Sequence, residues 1–157
     1  MFKHILVPTD DSELSQEAAH CAVRFAKEAG AIITVFYARP EYRSHPRSYA
    51  SDIATHLADI PTHTPKRHDE VTKAKAHGVL GFVELLCRES GVHCKKLSSV
   101  SDDPSKAIIE VAEKNSCDLI FMASHGRKGL NKLLLGSVTQ NVLTHSAIPV
   151  LVYRPPQ

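Results

Sequence analysis

The chain has 157 residues, a net charge of +2 from 19 basic and 17 acidic side chains, and an apolar share of 43%. Such a share supports a packed core and excludes disorder, and the interspersed charge excludes the concentrated basic stripe of a nucleic-acid binder. No run of about 18 apolar residues occurs, so no membrane span is expected, and the length fits one domain over residues 1–157.

Lys3 to Pro8 (KHILVP) reads as a short apolar strand, closed by a proline that cannot donate to a ladder. The opening has no signal-peptide layout. Thr9-Asp10-Asp11-Ser12 supplies several cap candidates. Leu14, Ala18, Cys21, Ala22, Phe25 and Ala29 then recur at helical spacing until Gly30 stops the helix. Ala31 to Ala38 (AIITVFYA) is β-branched and aromatic, a second buried strand. Strand, helix, strand at this rhythm is a βαβ unit and implies parallel pairing.

Residues 39–67 break the rhythm with Pro40, Pro46, Pro61 and Pro65 and with His45, His56 and His63. A long variable loop is expected there, with at most a short helix over Ser51 to Leu57. The histidines lack the tight spacing of metal ligands, and surface positions fit them better. A helix over His68 to Ser90 follows, with Val79, Phe82, Val83 and Leu86 on one face; Gly78 and Gly81 weaken it by about 1 kcal/mol each. Val92 to Val100 is a modest strand, and Asp103-Pro104 opens a helix ending near Asn115. Leu119 to Met122 is a buried strand, Ser137 to Thr144 a helix, and Pro149 to Tyr153 the last strand. Cys21, Cys87, Cys94 and Cys117 show no CxxC spacing, so free thiols in a reducing cytoplasm are expected.

Five strands alternating with four helices make an open α/β sheet, in which ligands bind beyond the carboxyl ends where the winding reverses. The reversal falls between the first and fourth strands. One ends in Pro8-Thr9-Asp10, the other in Ala123-Ser124-His125-Gly126. Asp10 suits ribose hydroxyls or a magnesium ion, and Gly126, Gly136 and Ser137, ahead of a helix start, suit phosphates. Each residue also has a plainer role open to it. Asp10 can cap the first helix, Gly126 and Gly129 can be turn glycines, and Arg127 and Lys128 either reach phosphates or stay solvated. His125 has no identifiable carboxylate partner, which disfavours a catalytic base. Neither GxxxxGK[ST], GxGxxG nor GxSxG occurs, so P-loop, dinucleotide and α/β-hydrolase sites are not expected.

Over nearly its whole length the chain resembles the universal stress protein family, through KHILVPTDDSE, the Asp118-Leu-Ile run into SHGRKGLNKLLLGSVTQNVL, and the closing IPVLVYR. The nucleotide-binding branch carries Gly-x2-Gly-x9-Gly-Ser/Thr. Gly126, Gly136 and Ser137 match it, while Ala123 stands at the first glycine. The resemblance implies a Rossmann-like parallel sheet of order 3-2-1-4-5 with helices on both faces. It also implies ATP with Mg2+ between strands one and four, and a pocket lined by Pro8, Thr9 and Asp10, with adenine against the backbone of Ala38. Ala123, Ser124, Gly126, Arg127, Gly136, Ser137 and Val138 would form the other wall. A cytoplasmic stress-response protein follows, dimeric through Pro149 to Tyr153 and acting as a nucleotide-dependent switch or partner-binding module. The alternatives are a same-fold interaction protein without nucleotide and a slow ATPase, for which the sequence names Asp10 but no second catalytic group.

Overall fold

Short apolar runs bounded by turn residues become strands, and the amphipathic stretches between them become helices. The computed structural model describes residues 1–43, 64–125 and 135–155. Within them lie β1 (His4–Pro8), α1 (Glu13–Ala29), β2 (Ile32–Arg39), α2 (Pro65–Ser90), β3 (Cys94–Val100), α3 (Pro104–Lys114), β4 (Leu119–Ala123), α4 (Ser137–His145) and β5 (Val150–Tyr153). The strands are all parallel, in the order β3-β2-β1-β4-β5. This is the order the resemblance implied.

Strand alternation divides the core in two. Ile5, Val7, Ile33, Val35 and Phe121 face α1 and α2, where they meet Ala19, Ala22, Val23, Val79 and Val83. Leu6, Phe36, Ile120 and Met122 face α3 and α4, where they meet Ala107, Ile108, Ala112 and Val142. Because both faces are covered, the strands read as continuous apolar runs instead of alternating ones. Phe121 is 1% exposed and central, so Phe121→Ala would cost about 3–5 kcal/mol.

Three helices open with a side-chain cap. Ser12, Thr64 and Asp103 accept from the N–H groups of Ser15, Arg67 and Lys106 at 3.2, 3.2 and 3.1 Å. The fourth, α4, has Gly136 as its N-cap and no side-chain cap bond. α1 and α2 both end on glycines in the left-handed region, Gly30 at φ 61° and Gly91 at φ 73°.

The main departure from the sequence reading is the start of α2, at Pro65 and not His68. Thr64-Pro65 is itself a cap followed by proline at the first helical position, a start signal as good as Asp103-Pro104. The amphipathic pattern misses it because the helix is solvated until Thr72; even Val71 is 58% exposed. The loop reading for residues 44–63, with His45, His56, His63 and the short helix over Ser51 to Leu57, falls outside the described residues.

Candidate functional site

β1 and β4 are adjacent, paired Ile5↔Leu119 and Leu6↔Ile120, yet the chains leaving them part. The first turns into α1 on one face, and the second leads to α4 on the other. Between them, at the carboxyl ends, lies the crevice that the topology designates for a ligand.

Its β1 wall is a chain of hydrogen bonds. Pro8 closes β1 opposite Phe36, and buried Thr9 extends the pairing by donating its N–H to the Phe36 carbonyl at 2.9 Å. The Thr9 hydroxyl lies 3.2 Å from that of Ser15 in α1. Asp10 Oδ1 accepts from the Ser12 N–H at 3.0 Å and from the Ser12 hydroxyl at 2.6 Å. This is an Asx-turn, a carboxylate imitating a backbone turn two residues on. Between them Asp11 takes φ 67°, a left-handed conformation that aspartate tolerates better than most side chains. Of the cap candidates in Thr9-Asp10-Asp11-Ser12, then, Ser12 caps α1 and Asp10 holds Ser12.

The β2 side contributes backbone. Phe36 directs its carbonyl toward β1, and by strand alternation so does Ala38, two residues on and past the last β1–β2 pair. The Ala38 peptide edge therefore faces the crevice. Beside it Arg39 reaches Asp69 of α2 at 2.8 Å, tying the end of β2 to the first turns of that helix. Hydrogen bonds from Lys73 and then Arg39 hold the Asp69 carboxyl below the usual range. The Arg39 Nε is buried, with no hydrogen-bond partner among the described residues.

The β4 wall is built by two contacts to α4. The Thr139 hydroxyl donates to the Ala123 carbonyl at 3.0 Å, and the Gly136 N–H donates to the Ser124 carbonyl at 2.8 Å. Buried Ser124 also donates its N–H to the Tyr153 carbonyl of β5 at 2.8 Å, and its hydroxyl lies 3.2 Å from His125 Nδ1. A β-carbon on Gly136 would stand 3.1 Å from the Cα of His125, closer than side chains normally approach backbone. A side chain at 136 would thus need the backbone at His125 to give by a few tenths of an ångström. The α4 start is drawn in against the end of β4, with Ser137 exposed and Val138 packed into the second core.

Asp10, Ala38, Ala123, Ser124, Gly136, Ser137 and Val138 accordingly gather around the ends of β1, β2 and β4. Gly126, Arg127, Lys128 and Gly129 lie outside the described residues. By alternation with Phe121, the Ala123 methyl is on the α1 face, opposite to α4. Sequence reasoning offered Ser12 as a cap candidate but missed Ser15 and Thr139; a threonine two positions into the helix after Gly-Ser was the available signal for the last. Among the described residues no three His, Cys, Asp or Glu side chains converge. A magnesium ion, which takes one or two carboxylates and leaves its other positions to phosphate and water, does not require such a cluster. Asp10 fits that role by chemistry.

Residues 1–154 match the family model of the Universal stress protein family. Universal stress protein MJ0531 of Methanocaldococcus jannaschii is 32% identical over 100% of this chain and 85% of its own. The solved structure of MJ0577, from the same organism, superposes with a TM-score of 0.73 at 26% identity, covering 100% of this chain and 99% of that one. A universal stress protein solved in complex with cAMP gives a TM-score of 0.67 at 24% identity over 99% of both chains.

Proposed function

From the premise that this chain belongs to the universal stress protein family, we propose that it binds an adenine nucleotide, ATP with Mg2+, in the crevice between β1 and β4. The observation that carries this reading is the start of α4. It is the one helix start among the described residues with no side-chain cap, and it opens onto the ligand edge of the sheet. Its first-turn N–H groups and the positive end of its dipole suit phosphate oxygens. Opposite, Asp10 supplies a carboxylate for ribose hydroxyls or for a magnesium ion that the phosphates share. The Ala38 peptide edge meets the adenine. Pro8, Thr9, Ala123, Ser124, Ser137 and Val138 complete the walls, and the motif match adds Gly126 and Arg127, which lie outside the described residues.

A relative of the same fold solved with cAMP supports the choice of adenine. In this reading the nucleotide acts as a switch for partner binding. The protein works in the cytoplasm as a dimer joined through β5.

Calorimetry with ATP and magnesium tests the proposal, with mass spectrometry of nucleotide released from freshly purified, denatured protein. Binding in the micromolar range, or adenine nucleotide in the supernatant, is expected. No heat and no thermal shift at millimolar ATP would replace it with the reading of an interaction protein lacking nucleotide. Steady phosphate release would make it an ATPase.

A further inference from the structure

Helix α2 outruns the core it packs on. Its buried residues are Thr72, Ala76, Val79, Leu80, Val83 and Cys87, so the stretch from Pro65 to Val71 buries no side chain. Three ties help Thr72 to hold residues 65–75, and each leads to a wall of the crevice. The Arg39 guanidinium meets the Asp69 carboxylate at 2.8 Å, and Lys73 meets the same carboxylate from the next turn. His68 Nε2 lies 3.0 Å from the Pro40 carbonyl, with the Tyr42 ring edge-on to the imidazole at 5.6 Å. Lys75 reaches Asp11 at 3.8 Å.

Those tie points adjoin the residues assigned to the nucleotide. Asp11 follows Asp10, and Arg39 and Pro40 follow Ala38. Two of them are also not at rest. Asp11 sits at φ 67°, in a turn closed by the bonds from Ser12 to Asp10 Oδ1 at 3.0 and 2.6 Å. Arg39 buries its Nε with no hydrogen-bond partner among the described residues, a donor left with a bond to gain. Resting on the nucleotide reading of the crevice, we propose that residues 65–75 are the moving part of its switch. They are clasped to Asp11 and Arg39 in the ligand-free protein and released when the crevice fills.

Release follows from two claims on one oxygen. Asp10 Oδ1 already accepts two hydrogen bonds from Ser12, as many as a carboxylate oxygen has lone pairs. A ribose hydroxyl or magnesium ion that draws this carboxylate into the crevice therefore stretches them. The turn that keeps Asp11 in the left-handed region then opens, and the chain relaxes toward ordinary φ. The Asp11 carboxylate turns away from Lys75 with little to stop it, because both side chains are 40% exposed and such pairs are weak. At the second wall, the Ala38 carbonyl and the Arg39 N–H form one peptide. Adenine set against that peptide shifts the stem carrying the guanidinium and slackens its grip on Asp69. Local opening is easiest where so few groups are buried. Since the ties favour the ligand-free form, they oppose the ligand, and by reciprocity their removal strengthens binding.

Hydrogen exchange of the full chain, read by peptide mass spectrometry, tests this. With magnesium and saturating ATP, the amides of residues 69–75 should exchange about threefold faster, while those of residues 79–90 keep their rates. Lys75→Gln and Asp69→Asn should each bind ATP about two- to fourfold more tightly in calorimetry. A plain surface staple gives the other pattern, some stability lost and affinity unchanged, and that result would overturn the clasp. So would unaltered exchange at residues 69–75 with ATP bound. Nucleotide-free Asp10→Ala opens the Ser12 turn without a ligand, and it should show the same faster exchange as the ATP complex. If calorimetry finds no ATP binding, the nucleotide reading falls and this arm decides alone. Faster exchange then keeps the link from Asp10 to α2, and wild-type rates remove it.

Discussion

The Gly136 N–H donates to the Ser124 carbonyl at 2.8 Å, and this bond fastens the start of α4 to the end of β4. Its cost is a close approach. A β-carbon at 136 would come within 3.1 Å of the His125 Cα and 3.3 Å of its Cβ. The φ of −65° is open to any residue, so the requirement for glycine is packing and not conformation. Gly136→Val would push the loop and the helix apart and so damage fold and site together. Gly136→Ala is the better probe. It should lower stability by about 1–3 kcal/mol, the range for overpacking, and reduce ATP affinity in the same protein. A melting temperature equal to wild type would mean that the approach is looser than it stands here.

Asp10 and Ser12 separate binding from stability. Ser12 caps α1, and Ser12→Ala should cost about 0.5–2 kcal/mol in denaturant unfolding. Asp10→Ala removes the brace on Ser12, about 0.5–1.5 kcal/mol. If Asp10 holds the ribose or the magnesium ion, Asp10→Ala should be the more harmful of the two to ATP affinity while being the milder to stability. Equal affinity in Asp10→Ala and wild type would put the ligand elsewhere.

Much of this was legible in the residues, and what was not has a physical cause. Strands β1, β2 and β4 announce themselves because sheets covered on both faces use continuous apolar runs. Gly30 and Gly91 mark helix ends because each must reach a positive φ. The crevice follows from strand order alone. What the sequence withheld are bonds between positions 12 to 16 apart, Gly136 to Ser124 and Thr139 to Ala123, since which carbonyl a helix start meets depends on the path of the connection. The start of α2 was hidden for another reason. Its first two turns face solvent, and a helix that buries nothing has no period to read.

Ala123 stands where the nucleotide-binding branch has its first glycine. Its methyl is nearly buried on the α1 face, while α4 and its N–H groups are on the other. Ala123→Gly should therefore leave ATP affinity within about threefold of wild type, well under the tenfold that 1.4 kcal/mol represents. It should also cost about 0.5–1 kcal/mol of stability as a glycine inside a strand. Calorimetry on the pair decides. A large gain in affinity would show that the methyl crowds the ligand.

His4 gives the fold a pH dependence. Its Nε2 lies 2.7 Å from the Thr34 hydroxyl. Burial, helped by Lys95 and opposed by Asp118 and the Asn115 backbone, holds the imidazole below its ordinary value. A base that is harder to protonate when folded stabilises the fold above the unfolded value of about 6.5, and that contribution fades as pH falls below it. Asp69 and Asp103 are held low as well and titrate further into acid. Between about pH 7 and pH 5 the wild type should lose more stability than His4→Gln. Parallel slopes in denaturant melts over that window would dismiss His4 as the cause.

The sheet has two edges, and they are defended differently. β3 carries Lys95 and Lys96, charges that discourage pairing with another chain, whereas Val150 to Tyr153 of β5 carries none. The dimer proposed for this protein therefore belongs at β5. The register says which residues would make it. The Pro149 and Tyr153 carbonyls accept from Ile120 and Ser124 of β4, so by alternation Leu151 also faces β4, while Val150 and Val152 direct their N–H and C=O groups outward. A proline at 151 would strip a bond from the protein's own sheet and prove little. Val152→Pro removes only an outward donor, which an edge strand tolerates. Wild-type protein should scatter light as a dimer at micromolar concentration, and Val152→Pro should run as a monomer with its circular dichroism spectrum retained. A monomeric wild type, or a variant still dimeric, would move the partner away from β5.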